Sequence, residues 1–378
     1  MDAGRKRSQN LNNYFAPPPG SRSGVADYAE TLRRKLEARG PLPVPLYHLG
    51  NNPLHAEIYR HALRDPGVVV LHDAVLHHFL LGALSRSAYV DEFIYNYGEW
   101  RRELAEELWS ERGSSGTDPR YFRFPMLRRV TEASRALIVH NPGAAAIARD
   151  HGAANVHVIP HFFEPVTVDR ADSVFFRDSL GIGQGVTLYG IFGYLRETKR
   201  ILPSLDAFRR LNKTNPNTAL LIAGDAVSAD LMRLLQNEAK HSAIHRLPHL
   251  SERDFRTAAA AVDACINLRY PTAGETSGIA IRLMGAGKPV IVTEGEATAD
   301  IPAAACLRVT PGIAEPAELF DHMTMLAAFP SIARAIGQAA ARHIAERHSL
   351  DEVGARYWEV LGSVVGAAHV GGASATLA

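Results

Sequence analysis

The chain has 378 residues, 46% of them hydrophobic and 21% charged, and this length favours two domains, each with its own core. With 41 Lys and Arg against 40 Asp and Glu, the net charge of +1 excludes the basic excess of a dedicated nucleic-acid-binding protein. Its two cysteines cannot form a disulfide framework, and no apolar run reaches the roughly 18 residues of a membrane-spanning helix. The basic start lacks the apolar core of a secretory signal, so we expect a cytoplasmic protein.

The first half of the chain alternates short apolar runs with helical patterns, which is typical of βαβ units and parallel sheets. We expect residues 1–13 to be disordered and residues 14–163 to form an N-terminal domain. Its predicted elements are a helix over residues 25–40, a strand at 67–73, a helix from 75, and strands at 135–141 and 156–162. The segments 40–66 and 80–125 carry no pattern that gives an assignment.

The pattern restarts after residues 164–184, whose weak periodicity predicts a linker. Residues 185–345 are predicted to form a second α/β domain, residues 346–365 a helix that crosses back to the first domain, and residues 366–378 a disordered tail. Predicted strands of the second domain lie at 186–194, 218–225, 262–270 and 289–294, and its helices at 199–213, 229–240, 251–261 and from about 277. In paired α/β domains, ligands bind in the cleft beyond the carboxyl ends of the strands.

The segment RYPTAGETSGIAIRLMGAGKPVIV, residues 269–292, places an acid at the start of a helix. Thr276 or Ser277 suits the N-cap, and the free N–H groups of the first turn favour an anion by about 0.3–2 kcal/mol. Gly278 has no side chain to obstruct a phosphate, and the carboxylate of Glu275 suits the hydroxyls of a sugar. An ordinary capped helix with an exposed Glu275 fits this segment equally well.

The segment IFGYLRETKRILPSLDAF predicts a strand, a glycine turn and a helix that begins at Lys199 and Arg200. Cations at a helix N-terminus are unfavourable to the helix dipole. Two of them are expected there when an anion lies between them and the helix. A solvated basic surface patch is the alternative for this pair on its own.

Four segments in this order, VIPHF, FGYLRETKRILPSLDAF, LLIAGD and GETSGIAIRLMGAGKPVIV, resemble the donor-binding domain of the group 1 retaining glycosyltransferases. PPPGSRSGVADYAETL resembles the first loop and helix of that family, so the resemblance covers most of residues 14–362. It implies an α/β protein of the GT-B fold, in which two Rossmann-like domains face each other across a cleft. It further implies transfer of a sugar from a nucleotide-diphosphate donor to a hydroxyl of a glycan or lipid-linked acceptor, bound on the N-terminal side, with retention of configuration.

The resemblance also assigns residues to the donor. Lys199 is expected on the diphosphate, with Arg196 or Arg200 as its basic partner because Tyr194 stands where the family has an arginine. Where the family has a second glutamate, this chain has Arg282 or its neighbours. The remaining donor-binding positions are Glu275 near the transferred sugar, Thr276 and Ser277, the backbone amides of Gly278 and Ile279, and the N-terminal turn Ser23-Gly24.

His72 is the histidine that we single out as catalytic with Glu275 and Lys199, because it ends the strand VVVLH and the family often has a histidine near the reacting sugar. A structural histidine at a strand end is the alternative. We expect no metal, since no paired-acid metal motif is evident, and no cofactor, since the nucleotide sugar is a substrate. Under retention, an oxygen of the leaving phosphate can take the proton of the acceptor.

Two other functions fit the same fold: a sugar-nucleotide epimerase or phosphorylase, and a non-catalytic partner subunit of a glycosyltransferase. The loss of the second acid and Tyr194 favour the partner subunit. The segment IYNYGEWRRELAEELW predicts an amphipathic face that suits peripheral contact with the inner face of a membrane, or packing against its own domain.

Overall fold

The computed structural model describes residues 13–21, 23–165, 167–238 and 240–371. Its strands are β1 (Tyr14–Phe15), β2 (Leu46–Leu49), β3 (Val68–Leu71), β4 (Ala136–Val139), β5 (Val156–Val158), β6 (Thr187–Phe192), β7 (Thr218–Ala223), β8 (Ile244–Leu247), β9 (Ala264–Asn267), β10 (Val290–Thr293) and β11 (Leu307–Val309). Its α-helices are α1 (Gly24–Glu37), α2 (Ala56–Arg64), α3 (His77–Ala83), α4 (Arg86–Tyr97), α5 (Arg102–Ser110), α6 (Arg128–Ala133), α7 (Pro142–Asp150), α8 (Arg170–Ser179), α9 (Ile201–Thr214), α10 (Ala229–Glu238), α11 (Glu252–Ala261), α12 (Gly278–Gly285), α13 (Glu315–Ala328), α14 (Pro330–Arg347) and α15 (Leu350–Gly371).

The first domain is built on a five-stranded parallel sheet in the order β1-β2-β3-β4-β5. Strands β3 and β4 are apolar at every position because both faces of a parallel sheet are covered by helices. Val68, Val70 and Ile138 face α1 and α15, whereas Val69 and Leu137 face the core under α2 to α7. Strand β2 lies in a segment that had no assignment, because only four residues separate its flanking Pro45 from Gly50.

The second domain is built on a six-stranded parallel sheet in the order β11-β10-β9-β6-β7-β8. Helices α9, α10 and α13 cover one face, where Ile201, Phe208 and Leu319 are buried. Helices α11, α12 and α14 cover the other, where Met284 and Ile344 are buried. The two-sheet α/β architecture predicted from the alternating pattern is therefore present, and all strands of both sheets are parallel.

The segment predicted to be a linker, residues 164–184, contains a helix, α8. Asp169 caps it by accepting a hydrogen bond from the amide of Ala171 at 2.9 Å, and Arg177 donates to the carbonyl of Ala261 at 2.9 Å. The helix thus packs on α11 of the second domain. No described residue of α8 is fully buried, which explains why its apolar signal was weak.

The last helix, α15, packs against α1 of the first domain, as predicted for the segment around Trp358. The hydroxyls of Tyr28 and Tyr357 lie 3.0 Å apart, and Tyr357 is fully buried. Helix α15 extends to Gly371, so the disordered tail predicted from residue 366 is wrong for residues 366–371. Residues 372–378 and residues 1–12 of the predicted disordered start lie outside the described part of the chain. In the described part, no helix has the length and apolar character needed to cross a bilayer.

Candidate active site

The two domains touch where the carboxyl ends of their strands meet. The amide of Ala74, just after β3, donates to the carbonyl of Ala273 at 2.7 Å. The side-chain amide of Asn141, just after β4, donates to the carbonyl of Gly274 at 2.9 Å and to the hydroxyl of Thr276 at 3.0 Å. Gly274 has φ +74°, and a Cβ there would lie 2.9 Å from Cβ of Ala74, so both the turn and the close approach require glycine. The segment that leads into α12 therefore lies against the first domain.

The start of α12 lies at this junction and presents amide groups that have no backbone partner among the described residues. The hydroxyl of Ser277 caps the helix by accepting from the amide of Ala280 at 3.3 Å. The first-turn amides of Gly278 and Ile279 have no partner within a helix. A Cβ on Gly278 would lie 3.2 Å from Nε2 of His161, so this glycine also admits a histidine of the first domain. The absence of a side chain at Gly278 thus serves interdomain packing as well as the predicted anion.

Lys199 lies next to this helix start. Its ammonium donates to the carbonyl of Phe192, at the end of β6, at 2.7 Å. Gly193, with φ +85°, follows β6, and a Cβ there would lie 3.1 Å from Nζ of Lys199 and 3.6 Å from Cγ1 of Ile279. Burial, with the nearby Arg269 and Arg196, holds the pKa of Lys199 well below its ordinary value.

Arg269 also belongs to this site, although no role was predicted for it from the sequence. It follows β9, and its guanidinium pairs with Glu275 at 3.0 Å and donates to the hydroxyl of Ser277 at 3.1 Å. Nε of Arg269 is buried and has no hydrogen-bond partner within the described ranges. The available signal was a basic residue at the carboxyl end of the predicted strand VDACINLRY.

Glu275 is held by three donors rather than exposed as a cap neighbour. Besides the pair with Arg269, its Oε2 accepts from the amide of Ala273 at 2.8 Å and from the hydroxyl of Thr272 at 2.9 Å. Its side chain is 20% exposed. The carboxylate is therefore fixed in orientation and still reaches the cleft.

The two candidate arginines beside Lys199 have different surroundings. Arg200 turns to Glu315 of α13, whose buried carboxylate accepts from Nε of Arg200 at 2.8 and 3.0 Å. Arg196 is exposed and makes no side-chain hydrogen bond or ion pair with the residues that the structure describes. Of the two, Arg196 remains available to an anion. Arg282, which with its neighbours was the candidate for the position of the second acid, pairs with Glu252 at 2.5 Å and lies over the ring of Phe255.

His72 lies in a row of buried imidazoles. Its Nε2 is 3.0 Å from Nδ1 of His48, and its Nδ1 is 3.3 Å from Nε2 of His140. Nδ1 of His140 faces the carbonyl of Ile159 at 3.0 Å and must carry the proton, because a carbonyl only accepts. When His48, His72 and His140 (the histidine row) are all neutral, Nδ1 of His72 donates to Nε2 of His140, and Nε2 of His72 accepts from Nδ1 of His48.

Burial keeps the histidine row neutral. It lowers the pKa of His48 to about 3, that of His140 to about 4, and that of His72 well below its ordinary value. Both ring nitrogens of His72 are thus occupied by neighbouring histidines. This arrangement resembles the structural alternative for His72 more than a direct contact with the sugar.

Asp73, the next residue, lies just after β3 and near enough to Glu275 of the second domain for the two charges to interact. Its Oδ2 accepts from the amide of Asn51 at 2.7 Å. Burial and the nearby Glu275 raise the pKa of Asp73 to about 6, against the opposing effects of the Asn51 amide, Arg196 and Arg269. A single aspartate after a strand is not a motif, so the sequence alone predicts no role for Asp73.

The predicted N-terminal turn lies at the start of α1. The hydroxyl of Ser23 caps this helix by accepting from the amide of Val25 at 3.3 Å, and Gly24 is exposed with open space around it. Within the described ranges, no three His, Cys, Asp or Glu side chains are grouped so as to hold a metal ion.

The chain matches no protein-family model and no curated protein sequence. It is similar in structure to HepE of Anabaena in complex with UDP-glucose, with a TM-score of 0.63 and 16% identity over 93% of this chain and 99% of that one. It is also similar to WaaG, a glycosyltransferase involved in lipopolysaccharide biosynthesis, with a TM-score of 0.60 and 15% identity over 92% and 98%. Sucrose-phosphate synthase of Thermosynechococcus elongatus matches with a TM-score of 0.58 and 15% identity over 90% and 78%. The chain therefore has the GT-B fold, and the predicted fold class is confirmed.

Proposed function

We propose that this protein is a glycosyltransferase that moves a sugar from a nucleoside-diphosphate donor to a hydroxyl of a glycan or lipid-linked acceptor, with retention of configuration. The observation that carries the proposal is the convergence of three cations beside the start of α12. Lys199 and Ile279 both lie against Gly193, Arg269 donates to the N-cap Ser277, and Arg196 is near enough for its charge to act on Lys199. This convergence occurs where the strands of both GT-B domains end. Ligand sites of paired α/β domains lie in this position.

The cation cluster has the properties of a site for an anion. The charges of Arg269 and Arg196 disfavour the charged form of Lys199, so the three cations repel one another in the free protein. The buried Nε of Arg269 lacks an acceptor among the described residues, which costs about 1–3 kcal/mol. A diphosphate would relieve both effects, and the same cations would stabilise it as a leaving group.

The sugar and nucleotide are proposed from the neighbouring residues and from the structural relatives. Glu275, fixed by Arg269 and Ala273, is suited to accept hydrogen bonds from sugar hydroxyls. HepE binds UDP and UDP-glucose, so UDP-sugars are the first donors to test here. Retention and proton transfer to the leaving phosphate rest on the family resemblance of the four sequence segments.

The acceptor class is proposed from the first domain. The predicted amphipathic segment is divided at Gly98 into α4 and α5, and Phe93 and Leu108 pack into the domain core. Trp100 is 74% exposed, with the guanidinium of Arg101 4.0 Å from its ring. An exposed Trp-Arg pair is compatible with peripheral contact to a membrane that carries a lipid-linked acceptor.

The test is release of nucleotide from UDP-, GDP- and ADP-glucose and from UDP-N-acetylglucosamine, alone and with a panel of glycan and lipid-linked acceptors. We expect one donor to be consumed with formation of a glycosidic bond. Binding of a donor without transfer to any acceptor would support the partner-subunit alternative. Isomerised nucleotide sugar without an acceptor would support the epimerase.

A further inference from the structure

We infer that Asp73 is a second catalytic carboxylate of the sugar site, whose Oδ1 accepts a hydrogen bond from a hydroxyl of the transferred sugar, facing Glu275 from the opposite domain. The inference rests on the proposed function and specifies how the sugar is held. It assigns a role to a residue for which the sequence resemblance gave none.

The two carboxylates are connected through the interdomain contact. Asp73 precedes Ala74, whose amide donates to the carbonyl of Ala273 at 2.7 Å. The amide of Ala273 in turn donates to Oε2 of Glu275 at 2.8 Å. These two hydrogen bonds, made by the backbone of Ala74 and Ala273, thus link Asp73 of the first domain to Glu275 of the second. A ligand between them would contact both domains.

Asp73 has one carboxylate oxygen to offer. Oδ2 is occupied by the amide of Asn51, whereas Oδ1 has no hydrogen-bond partner in the described part of the chain. The pKa of about 6 reflects burial and the charge of Glu275, which outweigh the opposing effects of the Asn51 amide, Arg196 and Arg269. A hydroxyl donor from a substrate would stabilise the ionised form at this position.

The chemistry of the surroundings selects a sugar hydroxyl rather than a phosphate. Asp73 and Glu275 repel an anion, and Arg269 is already paired with Glu275, whereas Lys199 has no carboxylate partner among the described residues. A nucleotide sugar has the matching division, with a charged diphosphate at one end and neutral hydroxyls at the other. His72 does not compete for this role, because both its nitrogens are already occupied.

The experiment compares wild type, Asp73→Asn and the control Asp118→Asn, an aspartate of the same domain that also accepts a backbone hydrogen bond. The donor is whichever of UDP-, GDP- or ADP-glucose or UDP-N-acetylglucosamine the wild type consumes. For Asp73→Asn we expect kcat/KM for that donor to fall about 10- to 100-fold, since a hydrogen bond to a charged group is lost. Affinity for the free nucleoside diphosphate should change less than about twofold, because the diphosphate is held elsewhere.

Two further readouts separate a sugar contact from a structural role. The first readout uses donor analogues that each lack one sugar hydroxyl. For one of them, the wild type should show a lower kcat/KM than for the intact donor, whereas Asp73→Asn should show the same kcat/KM for both. This is the pattern that a double-mutant cycle gives when the side chain contacts that hydroxyl. In wild type, kcat/KM should also fall as pH drops through about 6 and Asp73 gains a proton, and Asp73→Asn should lack this limb. The ionisable groups around Asp73 are Glu275, Arg196 and Arg269 across the cleft, and His55, His72 and His78 in its own domain.

Several outcomes would overturn the inference. If Asp73→Asn lowers the affinity for the free nucleotide as much as it lowers kcat/KM, Asp73 has a structural role in the cleft. If it changes only the KM of the acceptor, Asp73 contacts the acceptor and not the donor sugar. If a melting experiment shows that Asp73→Asn is unfolded, the wild type alone provides the test. A wild-type kcat/KM that is the same for every deoxy analogue as for the donor, and that does not fall near pH 6, would refute the contact. Absence of turnover by the wild type itself would refute the proposed function, and this inference with it.

Discussion

Single residues decide how the cation cluster works. Among the described residues, Lys199 donates to the carbonyl of Phe192, and burial and the charges of Arg269 and Arg196 disfavour its protonated form. A bound diphosphate would favour that form again. Donor binding should therefore be coupled to uptake of a proton by Lys199.

We predict that affinity for the donor nucleotide falls as pH rises above the lowered pKa of free Lys199, by up to about tenfold per pH unit. Below that pKa the lysine is already charged, and the dependence should vanish. Calorimetry in buffers of different ionisation enthalpy measures the proton uptake. Lys199→Ala should abolish it and lower turnover by about 10²- to 10³-fold.

Lys288→Ala is the matched control, because Lys288, like Lys199, is a half-buried lysine that donates to a backbone carbonyl, that of Ala260 at 2.7 Å. It lies away from the cation cluster. Proton uptake that is lost equally in both variants would remove Lys199 from the site. Turnover of Lys199→Ala above a third of the wild-type value would do the same.

At the scale of elements, the segment that precedes α12 sets the position of Glu275. Arg269 holds Glu275 and Ser277 together, and Asn141 of the first domain holds Gly274 and Thr276. Part of this arrangement could be predicted from the sequence, because an acid, an N-cap and a glycine in the order GETSG predict a helix start with an adjacent carboxylate. The role of Arg269 and the contact with Asn141 could not be predicted. Both depend on the packing of strands that are distant in the sequence.

We predict that Glu275→Gln lowers kcat at least about tenfold while affinity for the free nucleotide changes less than about threefold. Glutamine retains an acceptor for the amide of Ala273 but loses the charge opposite a sugar ring that gains positive charge during transfer. Steady-state kinetics and nucleotide titration measure the two effects. Glu318→Gln is the control, since Glu318 also accepts from a backbone amide, that of Thr310 at 2.6 Å. A kcat within about twofold of wild type would leave Glu275 a merely structural role.

At the scale of the whole molecule, the sequence predicted the two parallel sheets and the return of the last helix, because buried parallel strands such as VVVL and ALIV are continuous apolar runs. It missed β2, which has four residues between proline-rich and glycine turns, and α8, whose face is only half-buried. Both were missed for the same reason. Short or half-buried elements take their stability from tertiary packing that leaves little periodicity in the sequence.

The histidines at the junction of the domains link the stability of the molecule to pH. His48, His72 and His140 form the neutral row, and burial also lowers the pKa of His55 to about 4 and that of His161 to about 3. The ring of His161 lies against Gly278 of the second domain, and its carbonyl accepts from His348. Protonation would therefore disturb the first domain and its contact with α12 together.

We predict that the free energy of unfolding decreases steeply as pH falls from about 6.5 towards 4, because the unfolded histidines bind protons in this range and the folded ones do not. Each such histidine contributes up to about 1.4 kcal/mol per pH unit, and Asp73, whose folded pKa is raised to about 6, offsets one of them below that pH. Urea denaturation at a series of pH values measures the slope. His140→Gln should reduce the slope by about one proton, whereas His241→Gln, at an exposed position of the second domain, should leave it unchanged. A free energy of unfolding that is constant across this range would show that the folded and unfolded states gain equal numbers of protons, and burial would then not hold His48, His72 and His140 neutral.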